Sequence, residues 1–236
     1  MLIPAALAAL GTGALVSYGA ISSTSQLFGA AIAHIPLNQT ALTFDDGPNG
    51  DTTLRLLDIL AAADARATFF LIGKYVRRQP DIVRRIHAAG HAIGNHTESH
   101  PNLFWTSPKH TRAEIVECQN ALEDIIGAAV RLFRPPYGAR RPNVLATARQ
   151  LGLTPVLWNV KCFDWAASAT PDTILNYAER RAAHNRQRGR GSIILLHDGG
   201  HLQLNTDRTA SLAATQRILA LAHARGERFV TLTDAA

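Results

Sequence analysis

Cysteine is almost missing from this 236-residue chain: Cys118 and Cys162 stand far apart and in no metal-ligand spacing. A disulfide framework is thereby excluded, though a single bridge is not, and two reduced, packed thiols are expected. Charge is missing from the start, where no Asp, Glu, Lys or Arg precedes Asp45. Residues Ile3 to Ala20, rich in Ala, Leu and Gly, read either as an export or anchoring segment or as a packed arm. No basic residue leads the run, and Thr12, Ser17 and Tyr18 dilute it, which is poor for a membrane span. Residues 1–40 are therefore an apolar N-terminal arm or a signal/anchor segment. The expectation leans toward the cell envelope or secretion over the cytoplasm, with membrane or envelope association through that segment. There is no repeat of the length that builds solenoids or propellers, and no low-complexity linker after residue 40. Residues 41–236 are expected to form one domain.

What is present is globular: 47% hydrophobic and 18% charged residues, enough for a full core. The net charge is +6, carried mostly by Arg, with one dense patch at Arg180, Arg181, Arg186, Arg188 and Arg190. Such a patch attracts anionic surfaces, or it is the solvated end of a helix and its loop; the second reading is favoured. No nucleic-acid motif or interleaved aromatic accompanies it, so no nucleic-acid partner is expected.

Apolar runs alternate with amphipathic ones. Strands are predicted at Thr40–Phe44, Ala67–Ile72, His91–Asn95, Val130–Arg134, Thr154–Val160, Ser192–Leu196 and Arg228–Leu232. Helices are predicted between them, including Pro108–Ile126 with Ser107 as N-cap, and one from Pro171 to about Arg188. Continuously apolar strands separated by helices call for a parallel sheet covered by helices. The fold class is α/β: about seven units in a deformed TIM-like barrel, or else a doubly wound open sheet, which periodicity does not separate from it.

The chemistry collects where strands end. Asp45 and Asp46 close the first strand before Gly47-Pro48, His96 follows the third with His100 four residues on, and Arg134 ends the fourth. Asp164 and Trp165 follow the fifth, and His197 and Asp198 end the sixth. The C-terminal edge of such a sheet is where active sites form. Two adjacent acids repel and desolvate badly unless a cation or a proton relay separates them. His96 and His100, at i and i+4, would share one face of a helical turn and grip one ion. With Asp46 they make a His₂Asp set that leaves a coordination position open. Glu98, between them, lacks the H-E-x-x-H order of a metalloprotease base and is taken to face solvent. Asp45 then fits as a general base paired with Arg134, and His197, oriented by Asp164, as a general acid. Trp165 and Leu195 could wall a small methyl group.

Five motifs in order, Thr43-Phe44-Asp45-Asp46-Gly47-Pro48, His96-Thr97-x-x-His100-Pro101, Arg134-Pro135-Pro136-Tyr137, Asp164-Trp165 and Leu195-x-His197, resemble the NodB-type polysaccharide deacetylases of carbohydrate esterase family 4. The resemblance runs from about Ala41 to Thr233. It implies a deformed (β/α) barrel and metal-dependent removal of acetyl groups from N-acetylated glycans such as peptidoglycan or chitin-type oligosaccharides. It implies a divalent metal, usually Zn²⁺ with Co²⁺ or Ni²⁺ as substitutes, on Asp46, His96 and His100. Asp45 would be the base held by Arg134, the Tyr137 backbone N–H an oxyanion donor, His197 the acid tuned by Asp164, and Trp165 and Leu195 the wall against the acetyl methyl.

One position departs from the pattern: Lys161 stands where the fourth motif often begins with Asp, three residues before Asp164. Activity is expected to survive it. Specificity is expected in the loops Ser99–Lys109, Arg140-Arg141 and Gly199–Thr209, with His201 and Asp207 facing solvent. The competing readings are a glycan-binding protein with a vestigial site and an O-acetyl esterase acting on xylan.

Overall fold

In the computed structural model, residues 17–20 and 22–234 are described. The sheet is entirely parallel. Its strands are β1 (Gln39–Gly47), β2 (Thr68–Leu71), β3 (Ala92–Asn95), β4 (Leu132–Phe133), β5 (Thr154–Pro155), β6 (Val160–Lys161), β7 (Ser192–His197) and β8 (Arg228–Phe229). Seven run in the order β5-β4-β3-β2-β1-β7-β6, and β8 pairs with the start of β1. This is a barrel left open between β5 and β6, which settles the choice against a doubly wound sheet. The helices are α1 (Gly50–Ala62), α2 (Gly73–Val76), α3 (Pro80–Ala88), α4 (Pro108–Ile126), α5 (Pro142–Gln150), α6 (Pro171–Gln187) and α7 (Thr209–Ala224).

Strand alternation sorts the side chains into two cores. Leu42, Phe44, Phe69, Leu71, Ile93, Ile194 and Leu196 face outward under the helices. Ala41, Phe70, Ala92, Leu132, Ile193 and Leu195 face inward. Gly94 also faces inward, and a Cβ there would stand 2.5 Å from the Phe70 ring. The barrel interior has room for a glycine at that point and nothing larger.

The predicted strand Thr154–Val160 is in fact two short strands on opposite edges of the sheet. Pro155 cannot donate to a ladder, and the linking residues bond elsewhere. The N-terminal arm takes up the free edge. Ile32 N–H donates to Pro155 O at 2.9 Å, and Leu157 N–H donates to Ile32 O at 2.8 Å. Asn159 stitches the link to β7: its amide donates to Gly191 O at 3.0 Å and its carbonyl accepts from Ile193 N–H at 2.8 Å. An open sheet edge is thus covered by the chain itself.

Arg140, expected in a specificity loop, is fully buried instead. Its guanidinium donates to Gly138 O (2.8 Å), Ser22 O (2.7 Å), Ser25 O (3.1 Å) and Ala20 O (3.4 Å), clamping the arm to the domain. The arm from Ser22 onward is packed; the signal or anchor reading of the earlier residues lies mostly outside the described part. Among the described residues no helix is long and apolar enough to cross a membrane. Cys118 and Cys162 are buried free thiols, as expected. Of the basic patch, Arg186 pairs with Glu227 at 2.9 Å at the end of α6.

Candidate active site and metal centre

The register pairs Asp45 directly with His197, so the two meet at one level of the barrel mouth. Adjacent strand residues point to opposite faces, and only one of Asp45 and Asp46 would normally face the cleft. A register shift between Asp45 and Gly47 breaks that alternation, and Asp46 adopts a left-handed φ of 71°. Both buried carboxylates therefore line a cleft of about 550 Å³.

His96 and His100 also reach this cleft, but not from a helical turn. The segment after β3 is irregular, with Thr97 at φ 68° and His100 at φ 65°. Side chains hold it: Asn95 Oδ1 accepts from Thr97 N–H at 2.9 Å and Thr97 Oγ1 from His100 N–H at 3.1 Å. The i, i+4 spacing brings the rings to 4.9 Å between centroids through two left-handed residues. Glu98, expected in solvent, is half-buried and pairs with Arg77 at 2.5 Å, outside the cleft.

Asp46 Oδ1 lies 3.2 Å from His100 Nε2 and 3.5 Å from His96 Nε2. It is buried without a hydrogen-bond partner. Donor atoms on a tetrahedral ion at about 2.0–2.1 Å are about 3.3 Å apart, close to both separations. His96 Nδ1 is 2.8 Å from Arg134 O, an acceptor only, so Nδ1 carries the proton and Nε2 presents a lone pair. Burial, and His96 beside it, push His100 down to about 3, which keeps its imidazole neutral. An orphaned carboxylate oxygen facing the Nε2 atoms of two imidazoles fits a cation.

Arg134 is fully buried over the Phe70 ring at 4.1 Å. It donates from Nη1 to Asp45 Oδ1 at 2.7 Å and to Thr43 Oγ1 at 2.8 Å, and from Nη2 to Leu157 O at 3.2 Å. Asp45 Oδ2 faces the cluster, 3.7 Å from His96 Nε2. Across the mouth, His197 Nδ1 meets Asp164 Oδ1 at 2.9 Å. Asp164 Oδ2 accepts from His197 N–H at 2.8 Å and from Ser211 Oγ at 2.9 Å. Burial pulls His197 down, but the Asp164 charge and hydrogen bond, with smaller contributions from Asp46 and Asp45, raise it to about 9.

The chain matches the polysaccharide deacetylase family model over residues 36–156, half its length. It is 39% identical over 196 residues to a peptidoglycan-N-acetylglucosamine deacetylase of Bacillus cereus, covering 82% of this chain and 66% of that protein. It is 37% identical to a chitooligosaccharide deacetylase of Azorhizobium caulinodans, covering 82% of this chain and 93% of that one. The chain belongs to the polysaccharide deacetylase family. A solved peptidoglycan N-acetylglucosamine deacetylase, in complex with an N-hydroxybenzamide, superposes with a TM-score of 0.77 at 36% identity over 87% of this chain and 92% of that one. The chain thus spans just under two thirds of the Bacillus cereus relative and nearly all of the other two.

The remaining members of the expected family site fall at the same mouth. Trp165 stands edge-on to His197 at 5.0 Å between centroids, and Leu195 is buried on the cleft wall. Tyr137 sits at φ 59°; Gly138 and Ala139 donate to Pro135 O and Pro136 O, while no main-chain acceptor among the described residues takes the Tyr137 N–H. Lys161 also lines the cleft, its Nζ 5.0 Å from the rings of Phe163 and Trp165, and burial lowers its pKa.

Sequence reasoning missed two side chains. Ser211 holds Asp164 from α7, and nothing in a helical pattern signals that. His201 does not face solvent: it stacks on His100 at 4.5 Å and reaches Asp46. Its position just past the end of β7 was the available signal. Asp198, by contrast, is a buried carboxyl raised by burial to about 7; it accepts from Thr53 Oγ1 at 2.5 Å and packs on Gly47, supporting the β1 turn.

Proposed function

We propose that this chain is a metal-dependent carbohydrate N-deacetylase that frees acetate from N-acetylglucosamine units of peptidoglycan or chitin-type oligosaccharides. The relatives named for those substrates support the substrate class. The observation that carries the reading is the paired placement of a carboxylate, Asp45, and a protonated imidazole, His197, on neighbouring strands beside the Asp46–His96–His100 cluster. Geometry assigns the roles: Asp45 is tethered by Arg134 through one oxygen and open on the other, while Asp164 holds the proton on His197 Nδ1.

Asp46, His96 and His100 would hold the ion, with an N₂O donor set that suits Zn²⁺ and tolerates Co²⁺ or Ni²⁺. When bound, the ion supplies a Lewis acid that acidifies water and polarises the acetamide carbonyl. Asp45, fixed through Oδ1 by Arg134, takes the proton of the attacking water on Oδ2. The Tyr137 N–H offers a hydrogen bond to the oxyanion. His197 gives its proton to the departing nitrogen, so the C–N bond breaks to an amine and acetate. Trp165 and Leu195 enclose the methyl group. A proton donor held charged above neutral pH suits an amine leaving group, which must be protonated to depart.

The test is acetate release from chitin oligomers, peptidoglycan and acetylated xylan, by protein stripped with chelator and reloaded with each metal. Acetate from either of the first two substrates, dependent on metal and lost in Asp45→Asn, is expected. Release from xylan alone would make the chain an esterase, and glycan binding with no acetate under every metal would make it a binding protein.

A further inference from the structure

The loop from Gly199 to Arg208 carries an imidazole that the His₂Asp set does not use. His201 Nδ1 is 3.7 Å from Asp46 Oδ2, while His96 and His100 pair with Oδ1. Ligating atoms of Asp46, His100 and His201 all lie within 4.8 Å of one another. This grouping and the Asp46–His96–His100 set share two members; His96 approaches Asp46 at 3.5 Å and His201 at 3.7 Å.

The backbone that presents His201 is fixed. Its carbonyl accepts from Lys74 Nζ at 2.9 Å and from Tyr75 Oη at 3.0 Å. Arg208 Nε donates to Gly199 O at 2.7 Å, and Asn49 Nδ2 donates to Thr206 O at 2.8 Å, so both ends of the loop are tied down. The ring is oriented as well. It stacks on His100 at an interplanar angle of 21°, and its Nε2 is 3.2 Å from Tyr137 Oη. With the Nε2 proton donated to that phenol oxygen, Nδ1 presents a lone pair toward Asp46. A hydrogen bond from the outer nitrogen is the usual device that fixes the tautomer of a metal-ligating histidine.

We infer that His201 is a fourth protein donor to the metal, making an Asp–His₃ centre with one ligand supplied by the loop after β7. The inference rests on the reading that Asp46, His96 and His100 hold the ion. A site with four protein donors binds more tightly than one with three, and it must expand its coordination or release His201 when substrate enters.

The test uses the full chain, stripped and titrated with Zn²⁺ against a chromophoric chelator, and the visible absorption of the Co²⁺ form. His201→Ala is expected to weaken Zn²⁺ binding about tenfold or more, and to change the intensity and position of the Co²⁺ bands. His201→Asn still offers an N–H to Asp46 and is expected to stay as weak. Unchanged affinity and spectrum in His201→Ala would overturn the inference, as would full recovery in His201→Asn, which would leave His201 a hydrogen-bond donor only. Asp46→Asn separates the two readings. If it abolishes binding while His201→Ala behaves as the unsubstituted protein, only the fourth donor falls; if it leaves affinity unchanged, the underlying metal set falls too. Thermal melts of the metal-free variants check that each is folded.

Discussion

Asp164→Asn tests the proposed role of His197 as an acid tuned by Asp164. Asp164 Oδ2 accepts from two donors, the His197 N–H and Ser211 Oγ. An asparagine must keep its carbonyl oxygen there, which turns its NH₂ toward His197 Nδ1. That nitrogen then has to accept, so the proton moves to Nε2 and the charged ring loses its partner. The raised value of about 9 should fall to the ordinary 6.5 or below. The gap of about 2.5 units is worth roughly 3.4 kcal/mol between protonation states. A cation on Asp46 offsets that carboxylate's share, so the direction rests on Asp164. At pH 7.5 the acid form drops from about 97% to about 9% of molecules, roughly tenfold in rate, and lost orientation brings the fall in kcat/KM to about 10². The assay is acetate release across pH 5 to 10 with the zinc form. The alkaline limb should move from near pH 9 to below pH 7, and at low pH the deficit should shrink to the roughly tenfold that lost orientation leaves. Because the folded-state value lies above the unfolded one, the His197 contribution to stability is full below about pH 6.5 and lost as pH rises through about 9, so the melting difference between the two proteins should narrow over that window. An unmoved alkaline limb, or a variant within threefold of the parent at pH 7.5, would refute the assignment of His197 as an acid tuned by Asp164.

Arg134→Met leaves Asp45 buried without its cation, an expected loss of about 3–5 kcal/mol in urea unfolding; adding Asp45→Asn should recover part of it, and additive losses would show that the pair is not coupled. Arg140→Ala frees Ala20 O, Ser22 O and Ser25 O from their buried donor, so limited proteolysis should cut the arm near Ser22 faster while kcat per folded molecule changes little.

Much of the fold was legible because its signals are local. Continuous apolar strands announce a parallel sheet, and Ser107-Pro108 and Thr170-Pro171 mark helix starts that the structure keeps at Pro108 and Pro171. The division of Thr154–Val160 was not legible, because the residues that bond its middle come from Ile32 and β7, far away in sequence. The same holds at the site. Each expected residue sits at the cleft or directly supports it, since strand ends are countable in sequence. The helical reading of His96–His100 failed because Asn95 and Thr97 side chains stabilise left-handed turns there, and side-chain-to-backbone bonds have no period. Arg140 read as part of a specificity loop, and only the tertiary position of four carbonyls makes it a clamp.

The neighbouring carboxylates Asp45 and Asp46 show how one local irregularity organises the rest. In a regular strand the second acid would point into the outer core beside Phe44, at a large desolvation cost. The shift after Asp45 turns it into the mouth, where the two acids would repel. Arg134 takes one oxygen of Asp45, and the imidazoles surround Asp46, yet Asp46 Oδ1 still has no hydrogen-bond partner. A dication on Asp46 would put positive charge at the point where, on the proposed reading, negative charge develops on the acetamide oxygen, while Asp45, tethered from the far side, stays free to take a proton. On the proposed reading, the register shift places a metal ligand and a base on consecutive residues without giving them the same task.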